Sequence, residues 1–196
     1  MSKLPRAPYF HSPRVRLELA MASKLFCELA ISSRCARERA TQFSKVVDVD
    51  VICKEASNPS YCSNLLNSKP GGAKNVDLVD LANYTIGVVK DNFYIAYKLV
   101  INLQRNVTVR NYYTRCAIDF DGDDSIRGRL LGAKIDLELK NYPDMASQIG
   151  FVMQHIDDCI DSLHKNDTSP ILAKDVDILR QSGEVIQIIS KYLTLG

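Results

Sequence analysis

The longest regular pattern in this chain is a seven-residue repeat of apolar positions between residues 79 and 103. Apolar residues recur there at alternating spacings of three and four, which places them along one face of a helix. A breaker at Pro70 precedes the pattern, and Asn75 or Asp77 can cap the helix. The pattern predicts a long helix that packs at a shallow angle, as in antiparallel bundles. Its seam consists of Val79, Ala82, Ile86, Val89, Phe93, Ala96, Val100 and Leu103.

Two later segments carry the same signature. One follows the helix start at Pro143 and Asp144, and the other runs close to the C-terminus. A loop at Thr168, Ser169 and Pro170 separates them. Both segments are therefore predicted to be long amphipathic helices. Their seams are Met145, Ile149, Val152, Ile156, Cys159 and Leu163 in the first, and Leu179, Ser182, Ile186, Ile189 and Leu193 in the second.

The segment from about residue 110 to 140 is helical in pattern but changes phase. Cys116 and Phe120 share one seam. The seam that follows is out of step with it, as an insertion of three residues around 121–124 would produce. A distorted helix or a break near Gly122 is therefore expected. The second seam consists of Ile126, Leu130, Ala133 and Leu137.

The segment before Cys53 gives conflicting signals. Its β-branched residues alternate with Asp48 and Asp50, which by propensity alone favours a strand. No second strand is predicted to pair with it, so the helical context is given precedence. We expect a helix over about residues 43–56, then a loop and a short helix with Pro59 in its first turn.

The charge is uneven along the chain. Residues 1–41 carry eight basic and three acidic residues, whereas the formal net charge of the whole chain is only +2. The remainder is mildly acidic and has no basic stripe, which gives nucleic-acid binding little support. No run of 18 apolar residues occurs, so a membrane-spanning helix is not predicted.

Residues 1–41 are interpreted as a leader, disordered or a degenerate signal segment, and residues 42–196 as the folded domain. Lys24 precedes a short apolar stretch and small residues follow it, as in a secretory signal. Glu28 interrupts that stretch and Arg34 follows closely. An upstream-extended gene model or an organelle-directed leader would give the same pattern.

Cysteine placement favours structural clips over catalysis. Cys53 and Cys62 flank a short loop, and Cys116 and Cys159 each lie within a predicted helix. Excluding the leader, which contains Cys27 and Cys35, leaves an even number of cysteines, as expected of an oxidised secreted domain. The sequence also contains three possible glycosylation acceptors, which are Asn83, Asn106 and Asn166.

Catalytic and metal chemistry finds little support. His155, Cys159 and His164 could be drawn as ligands, but solvated histidines are the favoured interpretation. An acidic turn beginning at Asp119 resembles a calcium loop, yet its sixth and twelfth positions are Asp124 and Leu130. No phosphate-binding loop or nucleophile elbow is present. We predict a protein that is not an enzyme and has no metal or cofactor.

The order of these features resembles the plant invertase and pectin methylesterase inhibitor domain over about residues 42–196. The closest likeness is to its pollen-allergen-like invertase-inhibitor branch. A Pro-Lys-Phe segment of some invertase inhibitors is absent here, which weighs against invertase as the target. The residues that carry the resemblance are Cys53 and Cys62 with Pro59 and Tyr61, the segment 77–82, Cys116 with Phe120, Asn141 and Tyr142 before Cys159, and Ser169 with Pro170.

The resemblance implies an all-α fold, a four-helix up-and-down bundle with an N-terminal helical hairpin extension and two disulfides. It implies the pairs Cys53–Cys62 and Cys116–Cys159. It also implies a secreted, apoplastic or vacuolar inhibitor that binds and occludes pectin methylesterase or invertase. Two alternatives stay open: a non-inhibitory, allergen-like interaction module of the same fold, and a carrier with a small molecule between its helices.

Overall fold

The computed structural model of this protein describes four stretches of the chain, which are residues 46–105, 110–122, 124–164 and 169–195. The interpretation of residues 1–41 as a leader concerns residues outside these stretches. The same holds for Cys27, Cys35 and the glycosylation acceptors Asn106 and Asn166.

The long seam between residues 79 and 103 forms the helix α3, Leu78–Leu103; two short helices precede it, α1, Val49–Cys53, and α2, Pro59–Asn67. Asp77 begins α3 as its N-cap, because its side chain accepts a hydrogen bond from the backbone of Val79. The predicted seam is confirmed: its six central residues are buried, and its two end residues are partly buried against the core.

The predicted phase change corresponds to a break in the second bundle helix. Helix α4, Arg110–Asp121, ends one residue before Gly122, and helix α5, Ile126–Glu138, begins after the extended residue Ser125. Both out-of-phase seams are buried, so the break lets each half direct its own apolar face inwards.

The two remaining predicted helices are α6, Tyr142–His164, and α7, Pro170–Thr194. Every residue of their predicted seams is buried. Ser169 caps α7 by accepting a hydrogen bond from the backbone of Leu172, and Pro170 follows in the first turn.

The helices α3, α4–α5, α6 and α7 form the bundle. α3 and α6 lie diagonally opposite, and each packs against both α7 and the broken helix α4–α5. This arrangement confirms the predicted four-helix up-and-down bundle. The core is continuous across the four helices and includes Phe93 and Phe120, which lie edge to face with ring centroids 5.7 Å apart.

Helices α1 and α2 form the N-terminal hairpin, which the Cys53–Cys62 disulfide closes. The hairpin is anchored to α7. The backbone and the hydroxyl of Ser57 donate to Glu184, and Glu55 accepts from both Lys191 and Tyr192. These contacts fix the extension on the bundle by polar bonds as well as by apolar packing.

The predicted helix over residues 43–56 is wrong in extent, because α1 covers only Val49–Cys53 within the described residues. Asp48 stops the helix at its N-terminal side, since it has extended backbone angles and caps the backbone of Asp50. Val46 forms an isolated antiparallel bridge with Asp77. The strand signal of the alternating sequence is thus expressed at this one position.

Candidate functional site

The Cys116–Cys159 disulfide joins α4 to α6 and holds a polar cluster beside it. Asp119 lies one turn after Cys116, and its side chain is only 1% exposed. Its Oδ1 atom lies 3.2 Å from Nδ1 of His155 on α6. Arg115 places its Nε atom 2.9 Å from Asp119 and its terminal nitrogen 2.5 Å from Asp158.

The prediction that His155 is simply solvated is therefore wrong, since its side chain is 17% exposed and contacts a buried carboxylate. Asp119, His155 and Asp158 each place one atom of a type that can bind a metal ion within 4.8 Å of the other two. Arg115, however, already contacts both carboxylates and supplies the positive charge. The cluster is accordingly an ion-pair network that joins α4 to α6.

Burial raises the pKa of Asp119 above its ordinary value, because desolvation outweighs the contacts with His155 and Arg115. A pKa raised in the folded state means that stability falls as pH rises through that pKa. At about pH 7 the buried, ionised carboxylate of Asp119 is therefore expected to lower the free energy of unfolding, and Asp119→Asn should remove that cost. The cost is absent near pH 4, the ordinary Asp pKa being about 4. The gap in unfolding free energy between wild type and variant should shift in favour of the variant as pH rises.

Urea unfolding at these two pH values measures the shift. Asp157→Asn is the matched control, because Asp157 is an exposed neighbour that pairs with Arg180 on α7. The control should not show this shift in favour of the variant as pH rises. A parallel pH dependence of wild type and Asp119→Asn would contradict the prediction.

The solvent side of α5 and its C-cap carry a row of apolar residues, Leu131, Ile135 and Leu139, which we call the α5 stripe. These residues are spaced by four and are 63%, 47% and 71% exposed. They are out of phase with the buried seam of the same helix, so the bundle does not cover them. An exposed apolar row on a rigid helix is typical of a surface that binds another protein.

A groove of about 720 Å³ lies between α3 and α5, and we call it the α3–α5 groove. Its floor is apolar and consists of the buried side chains of Ile86, Phe93 and Leu130. Tyr94 and Leu131 form parts of its walls. The groove opens beside the helix break, where the wall formed by α4 ends.

Polar contacts bridge the two ends of the α3–α5 groove. At one end Lys134 donates a hydrogen bond to Asn83. At the other end Arg127 pairs with Asp121 at 2.9 Å and lies over the ring of Tyr97, 5.2 Å from its centroid. Asp121 also accepts from the Tyr97 hydroxyl at 2.6 Å, which raises the pKa of Tyr97. These contacts join the two walls at fixed positions.

The predicted site residues are distributed over different parts of the molecule. The four cysteines form the two disulfides that close the hairpin and join α4 to α6. Asn83 is exposed in the interior of α3, and its side chain is occupied by Lys134. Glycosylation at Asn83 stays a prediction. The α5 stripe and the groove were not predicted from the sequence.

Comparison with solved structures places this architecture in a defined class. A crystal structure of a mutant form of a pectin methylesterase inhibitor from Arabidopsis superposes with a TM-score of 0.64, covering 73% of this chain and 95% of that one at 19% identity. A second pectin methylesterase inhibitor, from Arabidopsis thaliana, gives a TM-score of 0.56 over 74% of this chain and 95% of its own, also at 19% identity. The protein has the fold of these inhibitors.

Among curated proteins, pectinesterase inhibitor 2 of Arabidopsis thaliana is 30% identical over 76 residues, which span 37% of this chain and 43% of that relative. No protein-family model matches the chain. The comparisons confirm the predicted helical fold and the resemblance to the plant invertase and pectin methylesterase inhibitor domain. In the part of the chain that the structure describes, no helix combines the length and apolar character that crossing a membrane requires.

Proposed function

We propose that this protein is a secreted inhibitor that binds a pectin methylesterase of the plant cell wall and occludes its active-site cleft. The observation that carries the proposal is the superposition over 95% of the length of a pectin methylesterase inhibitor. The segment that is 30% identical to pectinesterase inhibitor 2 supports it independently. Invertase is the second candidate target, and the missing Pro-Lys-Phe segment weighs against it.

A disulfide-braced bundle is suited to inhibition by occlusion. Binding loses less conformational entropy when the contact surface is already ordered. The two disulfides and the hairpin contacts with α7 restrict the motion of the helices before a partner arrives. A preformed surface of this kind blocks an enzyme without chemistry of its own.

We place the enzyme-contacting surface on the α5 stripe. Its residues are among the more exposed large apolar side chains of the described residues. Burying them against a partner would remove apolar surface from water, at about 25 cal/mol per Å². Lys134 and Glu138 lie beside the stripe, pair at 3.2 Å and provide the polar border that interface cores usually have.

The test is an inhibition assay with the purified, oxidised full chain against a pectin methylesterase and, separately, an invertase, at mildly acidic pH. We expect saturable inhibition of the methylesterase. Inhibition of invertase alone would make invertase the target in place of pectin methylesterase. Inhibition of neither enzyme would favour the non-inhibitory interaction module.

Ile135→Lys should weaken inhibition by about tenfold or more, because it places a charge in the centre of the proposed interface. Ile171→Lys is the matched control, since Ile171 is 66% exposed but lies on α7, away from the stripe. Both substitutions are expected to change the unfolding free energy by less than about 0.5 kcal/mol. Equal inhibition by both variants would move the contact surface elsewhere while leaving the inhibitor proposal intact.

A further inference from the structure

We propose that the α3–α5 groove is a binding site for a small organic anion with an aromatic or otherwise apolar body. The proposal concerns a ligand site on this chain and does not depend on inhibition of any enzyme. Its volume of about 720 Å³ lies within the range of about 300–1,000 Å³ that is usual for small-molecule sites. The stretch of α3 from Asn83 to Tyr94 makes the groove about 16 Å long, enough for one or two rings and a charged group.

Two glycines line the groove without a packing reason. A Cβ atom added at Gly87 on α3 or at Gly128 on α5 would meet nothing within 4 Å. Each lies within a helix, where glycine is less favourable than alanine by about 1 kcal/mol. Their helices therefore tolerate an unfavourable residue at two positions that keep the groove open.

Two other helical glycines of this protein, Gly183 and Gly132, do have a packing reason. A Cβ atom at Gly183 on α7 would lie 2.6 Å from the Met153 sulfur, and one at Gly132 on α5 would lie 3.1 Å from the Gln148 side chain. Close packing against α6 explains these two residues. Gly87 and Gly128 have no such neighbour, a property that they share with Gly150 on α6, and what sets the two apart from Gly150 is that they line the groove.

The charges of the groove favour an anion. Lys90 lines it and is exposed, and no ion-pair partner of Lys90 is found among the described residues. Lys134 and Arg127 lie at the two ends, where each is already paired with a carboxylate, that of Glu138 and that of Asp121 respectively. The carboxylate that lines the groove, Asp121, is already paired with Arg127 and hydrogen-bonded by Tyr97. A cation without a partner above an apolar floor matches a ligand that has a negatively charged group on a hydrophobic body.

The experiment uses the full oxidised chain and two fluorescent probes of similar shape. Anilinonaphthalene sulfonate is anionic, and N-phenylnaphthylamine is its uncharged counterpart. Fluorescence titration, with calorimetry to establish stoichiometry, should show one saturable site for the anionic probe. The neutral probe should bind the same site more weakly.

Gly87→Leu fills the groove from a position where the added side chain has room, and Gly128→Leu does so from the opposite wall. Each is expected to weaken binding of both probes by about tenfold or more, since the probe loses its contact with the apolar floor. Gly150→Leu is the matched control, because Gly150 also lies within a helix with nothing within 4 Å of its added Cβ atom, but on α6 outside the groove. It should bind as the wild type does.

Lys90→Met tests the contribution of the Lys90 charge separately from that of the apolar floor. It should weaken the anionic probe by about three- to tenfold and leave the neutral probe within about twofold. Ile135→Lys should leave the binding of both probes unchanged, because Ile135, unlike its neighbour Leu131 in the α5 stripe, does not line the groove. Thermal unfolding by circular dichroism confirms that every variant is folded. The proposal is overturned if no one-to-one binding occurs, or if both glycine substitutions leave the affinity unchanged.

Discussion

Replacing Cys116 and Cys159 together by alanine is expected to lower the free energy of unfolding by about 4 kcal/mol, by the loop-entropy relation. The two residues are 43 positions apart in the sequence, so their bond removes much freedom from the unfolded chain. In the folded state the bond holds the short, separately ended helix α4 against α6. Urea unfolding followed by circular dichroism measures the loss.

The hairpin disulfide provides the matched control. Cys53 and Cys62 are only 9 positions apart, and the same relation gives about 3 kcal/mol for their removal. The two losses should also differ in location. Without Cys53–Cys62, hydrogen exchange should increase chiefly in α1 and α2, whereas without Cys116–Cys159 it should increase in α4. Unchanged unfolding of the Cys116→Ala, Cys159→Ala protein would contradict the prediction, as would exchange that increases equally everywhere.

The sequence predicted the bundle because each of its long helices must bury one apolar face in the same core. Residues such as Phe93 and Ile149 recur at helical spacing and all face one core, so periodicity identifies both the helix and its buried side. Even the break before Ile126 was predictable, since a change of phase cannot be accommodated by a straight helix. Where one physical requirement dominates, local pattern is sufficient.

Pattern failed where a residue's neighbours come from a distant part of the chain. His155 lies off its helix seam, and only the packing of α4 against α6 brings it to Asp119. The short length of α1 depends on the cap at Asp48 and on the bridge from Val46 to Asp77, a partner 31 positions away that local propensity does not identify.

The candidate surfaces illustrate the same limit to different degrees. Leu131, Ile135 and Leu139 do form a second apolar row at a spacing of four, so the sequence carries a signal for the α5 stripe. The sequence signal for the α3–α5 groove is weaker. Gly87 and Gly128 are 41 positions apart, and nothing in the sequence indicates that both line the same space.

Phe93→Ala is expected to lower the free energy of unfolding by about 3–5 kcal/mol, the usual range for removing a buried aromatic ring. Phe93 is only 1% exposed. Its ring stacks with Tyr97 at 5.7 Å and meets Phe120 edge to face at 5.7 Å. Urea unfolding measures the loss, and Phe93→Leu, which retains much of the apolar volume, serves if the alanine variant does not fold.

Phe151→Ala is the control for this prediction, because Phe151 is 40% exposed on α6 and its removal should change stability by less than about 1 kcal/mol. Phe93 also forms part of the groove floor, whereas Phe151 does not. Phe93→Leu should therefore weaken binding of the aromatic probes, and Phe151→Ala should not. A stable Phe93→Ala protein would mean that the aromatic cluster is not what holds α3 to α4. Unchanged probe binding by the folded Phe93→Leu protein would show that the ring supports the core without contacting the ligand.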